Sequence, residues 1–434
     1  MLLVAIVIAR VATVVWTATG RTKGDFYASL PGAHVERLNP TLWSSPDLGA
    51  AWGYHTSTYF HGPTQYLTFY PLGLLDSWAQ IAAVLLPIYA LVLGLAFWML
   101  WRVAQQLGAG RDVFVPMLAC TFLFFPVLQA YLQREFEIVL AASLASALFF
   151  LVSDRRGVAA AVFAYAAWFK YIPLLFAGYL GLRRWWGPLL VFGITSAAIL
   201  AVSEALFGLR LFFNNNVPGH ARQVFVLWDF AFARDAGGSL YGTGFCEGWR
   251  ERDSTFANVR HGLCSLAASN AWLSPPIVYL AICVTVAVVF LRTHARLERA
   301  GLTAAAETRR RAIEVSIVTT ICACFFFAHY YYLAVLIVPF NVLLVLYWTE
   351  RRMGALALWA VAYALVGAFV VPLGVLNRAF GVNLWEIYMW QGWFWYGEIL
   401  LMALLLFDYA RLASRSGTST RLAPVITQLS GGLH

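Results

Sequence analysis

Apolar runs of about 18 residues or more, each able to cross a hydrocarbon core of about 30 Å as a helix, recur from residue 1 to residue 411 of this 434-residue chain. Little other than a bundle of membrane helices can bury them. Composition agrees: 61% of residues are hydrophobic and 12% charged, against about 25% charged in soluble proteins. The runs predict an all-α polytopic membrane protein with ten spans, near 1–18, 77–101, 113–131, 135–153, 187–207, 272–292, 312–328, 333–349, 354–373 and 390–410. Residues 1–411 read as a single integral domain, and 412–434 as a disordered cytoplasmic tail. The first run lacks both a basic flank before it and a small-residue cleavage site after it, so it reads as a retained span rather than a signal peptide.

A net charge of +9 would suggest nucleic acid in a soluble protein. Here the arginines sit in short clusters between apolar runs, the mark of cytoplasmic loops, and no nucleic-acid partner is expected. The clusters are Arg102 to Arg111, Asp154-Arg155-Arg156, Arg183-Arg184, residues 292–311, Glu350-Arg351-Arg352 and the tail from Arg411. They share one side only if residues 157–182 begin and end there. That segment, containing YAAWFKYIPLLF, is therefore read as a re-entrant hairpin of two half-helices with Lys170 at its tip. The alternative is one kinked helix whose lysine snorkels or pairs.

Two longer, mixed segments then fall outside, at 19–76 and 208–271, as irregular outer-face loops. The second carries Cys246 and Cys264. Sharing an oxidising compartment, they are expected to form a disulfide, with two separate thiols as the alternative. WQGWFWY at 390–396 reads as an interfacial anchor.

The same sidedness gathers polar groups at the outer boundary: Asp25 just past the first span, Lys170, His329 in AHYYYLAVLIVPF, and Arg134, Glu135 and Glu137 in the turn LQREFEIVL. An ammonium suits a phosphate as a point charge, and histidine can donate to a phosphate oxygen. Each has a plainer reading: a solvated aspartate, a histidine of the aromatic belt, an internal Arg–Glu pair. Arg10, midway along the first span, would pair with a carboxylate such as Glu398. No spacing of His, Cys or Asp suits a metal, and no Gly-rich phosphate loop or Ser-His-Asp set occurs.

GDFYAS after the first span, FKYIPLLF followed by RRWW, and HYYYLAVLIVP in a late outer turn together resemble the GT-C superfamily, and within it glycosyltransferase family 87, the polyprenyl-phosphate-mannose-dependent mannosyltransferases. The likeness spreads over about residues 10–410. It implies a GT-C-like bundle with its active site at the outer face of a bacterial inner membrane. It implies a polyprenyl-phosphate sugar donor, a glycolipid or glycan acceptor, surrounding membrane lipids and no cofactor. Carried over, Asp25 is the general base of an inverting transfer, His329 and Lys170 hold the departing phosphate, and Arg134 and Tyr330 assist. Glu135 and Tyr27 are further candidates for contacting substrate. The chain departs from the family in having FHGPTQYLTFYPL in place of a Tyr-Pro-Pro element. A transporter or flippase of a lipid-linked sugar is the alternative; it predicts paired interrupted helices, and the sequence contains one interrupted segment.

Overall fold

The computed structural model describes residues 63–69, 78–133, 135–170, 174–207, 259–270, 273–325, 330–368 and 391–430, with isolated positions between them. Among the described residues there is helix and no strand. In chain order the helices are α1 (Pro63–Phe69), α2 (Trp78–Gln106), α3 (Phe114–Phe122), α4 (Phe125–Gln133), α5 (Glu137–Val152), α6 (Arg156–Lys170), α7 (Leu175–Leu182) and α8 (Trp186–Phe207). They continue with α9 (Val259–Ser269), α10 (Pro275–Arg299), α11 (Ala304–Cys324), α12 (Ile337–Thr349), α13 (Met353–Tyr363) and α14 (Trp393–Ser430). A 3-10 segment, Tyr330–Leu336, leads into α12, and a π-helical turn, Ala364–Ala368, ends α13.

Among the described residues four segments are long and apolar enough to cross a membrane unaided: Ala83–Gln106, Trp186–Ser203, Pro275–Arg299 and Tyr330–Thr349. The pair α3 and α4, bent by 48°, makes a fifth if it counts as one span. Leu190 and Ile194 on α8, and Ile277, Leu280 and Val284 on α10, stand exposed along their helices. Apolar faces of that extent suit lipid and not water, so this is a helical membrane protein. The backbone of α14 runs on to Ser430. Arg411 and Arg415 tether that extension to Glu350.

All six arginine-bearing linkers meet at one end of the bundle. Gln106 donates to Ser153, and the Trp348 indole to Asp112. Asp154 pairs with Arg311, Arg183 with Glu298 and Glu307, and Arg309 with Glu350. Beneath them Glu314, fully buried, accepts from Arg310 at 2.9 Å, from Tyr179 at 3.1 Å and from Tyr409. Burial tends to raise the Asp154 carboxyl, but hydrogen bonds from Arg156 and Arg311 outweigh it and hold the group below its usual range. Glu350 is likewise lowered, burial being outweighed by Arg309, Arg415 and Arg411.

The linkers can be short because four helices finish here in the same way. Gly108, Asp154, Arg184 and Arg351 have φ of 87°, 59°, 53° and 53°. In each case the following residue donates its N–H to a carbonyl five residues back: Ala104, Phe150, Leu180 and Tyr347. This is the Schellman stop, in which one left-handed residue turns the chain sharply out of the helix. Glycine enters that region freely, whereas each arginine there costs about 1 kcal/mol or more.

Within residues 157–182 the chain doubles back. Phe163 on α6 stacks on Phe176 of α7 with centroids 4.0 Å apart; thirteen residues of continuous helix would separate them by about 20 Å. At the basic end the Arg156 guanidinium lies 4.8 Å from the Trp185 ring centroid, and that of Arg183 4.6 Å. Lys170 ends α6 away from that end.

The opposite end carries the Cys246–Cys264 disulfide, with Cα atoms 5.5 Å apart. Its anchor, α9, lies against the start of α14, where Gly262 touches the Trp395 ring so closely that no Cβ would fit.

Candidate functional site

Two polar clusters lie toward the end opposite the arginines. The first is built where α1, α2, α5 and α6 converge. Phe69, Phe136 and Phe169 form its apolar floor, with ring centroids 4.5 Å (69–136), 6.2 Å (136–169) and 6.3 Å (69–169) apart. The sequence sets acids on either side of Phe136, and Lys170 directly follows Phe169. Packing these three rings therefore brings the REFE turn and the end of α6 together.

Glu135 and Glu137 are both buried, and together with Tyr165 they lie within electrostatic range of the Tyr89 phenol on α2. Glu137 opens α5, where the helix N-terminus favours negative charge. The Tyr165 and Thr68 hydroxyls are 2.7 Å apart, tying α1 to α6. The cluster thus offers carboxylates, phenols and a hydroxyl on an aromatic floor, a set suited to hydroxyl-rich ligands.

The second cluster surrounds Glu398 on α14. Gly397 lets α14 approach the π-helical turn: a Cβ at that position would lie 2.7 Å from Val366 and 2.8 Å from the Ala362 carbonyl. Tyr330 donates its phenol to the Val366 carbonyl at 2.5 Å, and Tyr388 to that of Leu365. Both phenols and Cys324 lie within electrostatic range of Glu398. The 3-10 segment that opens with Tyr330 packs on α4, α5 and α11.

Of the residues expected from sequence, Glu135 sits in the first cluster. Tyr330 sits in the second, buried, with its phenol on a backbone carbonyl. Lys170 closes α6, and the placement of its side chain is outside the description. Asp25, Tyr27, Arg134 and His329 lie outside the described residues, as does Arg10. Glu398, proposed as the partner of Arg10, makes no hydrogen bond with either oxygen. No group of three His, Cys, Asp or Glu able to hold a metal occurs among the described residues. Tyr89, Thr68 and Tyr165 escape a sequence reading because each lies singly in an apolar or mixed run; only the assembled helices bring them to the acids.

A membrane-embedded helical bundle with hydroxyl-binding chemistry gathered toward one end defines a class, membrane enzymes or carriers of polar groups at a lipid boundary. Comparison with known families narrows it: glycosyltransferase family 87 matches residues 59–308, more than half of the chain. The chain belongs to glycosyltransferase family 87. No curated protein matches it. The matched region includes the first polar cluster on α1, α2, α5 and α6, the doubled-back segment and the disulfide.

Proposed function

We propose that this glycosyltransferase moves a sugar, mannose on the family resemblance, from a polyprenyl-phosphate donor to a hydroxyl of a glycolipid or glycan acceptor, at the membrane face that carries the disulfide. Asp25 takes the proton of the acceptor hydroxyl as its oxygen bonds to the anomeric carbon. The bond from that carbon to the phosphate oxygen breaks on the opposite face, and its electron pair leaves on the polyprenyl phosphate, giving inversion. Lys170, His329 and Arg134 offset the charge on that phosphate; Tyr330, Glu135 and Tyr27 complete the surroundings. No cofactor enters the reaction.

The observation that carries this reading is the opposition of the two ends. Clustered arginines favour the cytoplasm, and a disulfide favours an oxidising compartment; the two rules are independent and agree. On that sidedness residues 157–182 form a re-entrant hairpin, and Lys170 reaches toward the outer face of a bacterial inner membrane. The hairpin belongs to a bundle of about ten spans.

The test uses purified protein, radiolabelled polyprenyl-phosphate mannose and a membrane lipid extract, with labelled glycolipid as the readout. Asp25→Asn should bind donor yet lose turnover by about 10²-fold or more, the scale of a missing general base. Lys170→Gln should raise the donor KM by about tenfold or more, as expected when a charged hydrogen bond is lost. Turnover by Asp25→Asn near the unmutated rate would remove the central assignment.

A further inference from the structure

Glu398 has both carboxyl oxygens buried without a hydrogen-bond partner, and the residue is 1% exposed. A buried polar group with no donor to receive works against folding. The basic end shows what this protein does when a carboxylate serves stability: Glu314, equally buried, receives Arg310, Tyr179 and Tyr409. Glu398 has no such set. Its neighbours are two phenols already committed to the carbonyls of the π-helical turn. π-helical turns of this kind occur frequently at functional sites.

We infer that Glu398 is a substrate-binding residue that accepts hydrogen bonds from the hydroxyls of the neutral sugar acceptor, in a pocket walled by Tyr330, Tyr388 and Phe394. This rests on the reading of the protein as a transferase to a hydroxyl. Two observations favour the acceptor over the donor phosphate. Glu398 has no cationic partner among the described residues that could offset a phosphate's charge, whereas an acceptor hydroxyl supplies the donor that the carboxyl lacks. The walls are aromatic: Phe394 lies 6.2 Å from the Tyr388 ring and 5.9 Å from His261, and such rings pack on the C–H faces of sugars.

The test measures thermal unfolding of the full chain in nanodiscs with a panel of octyl glycosides of mannose, glucose and galactose as acceptor probes. The unmutated protein should be stabilised by at least one glycoside. Glu398→Leu should unfold no lower than the unmutated protein, because it removes an unpaired polar group, yet lose that stabilisation. Glu398→Gln, which replaces one acceptor oxygen with an amide, should weaken the glycoside by about threefold or more, the scale of one lost neutral hydrogen bond, and leave the donor KM unchanged. Three results overturn the inference: no glycoside stabilises the unmutated protein, the stabilisation survives in Glu398→Leu, or Glu398→Leu unfolds several degrees lower. None of these readouts depends on Asp25, so transfer that fails in Asp25→Asn and proceeds in the unmutated protein upholds the proposed reaction even where this inference falls.

Discussion

Thr68 illustrates how a single hydroxyl can position a site. It donates within α1 to the Thr64 carbonyl at 2.7 Å and stands 2.7 Å from the Tyr165 hydroxyl of α6. Since α6 ends at Lys170, this contact holds α1 at a fixed height beside the cluster of Glu135, Glu137 and Tyr89. Thr68→Val keeps shape and branching but leaves the Tyr165 phenol without its partner. The expected cost is about 1–3 kcal/mol of stability, the penalty of an unsatisfied buried group, read as a lower unfolding temperature. Donor KM should rise as well, because α1 loses its tie to the segment that carries Lys170. A variant with unchanged unfolding and unchanged KM would show that the ring packing of Phe69 alone positions α1.

Among the elements, α6 and α7 with their ionic footing show what the sequence discloses and what it hides. The doubling back of residues 157–182 follows from arginine bookkeeping: Arg155-Arg156 and Arg183-Arg184 had to share a side, and Trp185 lies against both Arg156 and Arg183. The acids that lock the footing in place were not legible. Glu298, Glu307 and Glu314 sit in the basic linker and the first half of α11, where a linear reading sees only a cytoplasmic loop running into a span. The polar clusters were partly legible for the same reason: Glu135 lies in a short turn between two runs, but Tyr89 and Glu398 sit within apolar helices and acquire meaning only from neighbours far along the chain. Glu314→Gln tests the footing. It leaves Arg183 and Arg310 short of a counter-charge in a buried setting, which costs about 3–5 kcal/mol when one partner of such a network is removed. The double variant Glu314→Leu with Arg310→Leu should recover part of that loss, since it removes charge of both signs. If the single and double variants unfold at the same temperature, the Arg310–Glu314 pair contributes nothing specific.

For the molecule as a whole, the arginine-bearing linkers and the disulfide lie at opposite ends of the bundle, so orientation in the membrane is one question with two reporters. Arg155 is exposed at the basic end. Of the free cysteines, Cys120, Cys322 and Cys324 are buried and Cys283 is half-buried, so Arg155→Cys is made in a Cys283→Ala background to add one accessible thiol. With the positive-inside rule setting the sign, a membrane-impermeant maleimide should label Arg155→Cys in inside-out vesicles and not in right-side-out ones. The disulfide should give the mirror image: a membrane-impermeant phosphine should release Cys246 and Cys264 for labelling in right-side-out vesicles and leave them oxidised in inside-out vesicles. Labelling of both reporters from the same side would contradict their separation to opposite ends. Exchange of the two sides would leave the fold intact but turn the Lys170 end of α6 toward the cytoplasm, and the proposed donor would then have to present its sugar there. The orientation assay therefore constrains the reaction directly, because a polyprenyl-phosphate sugar can be used only on the leaflet where its head group lies.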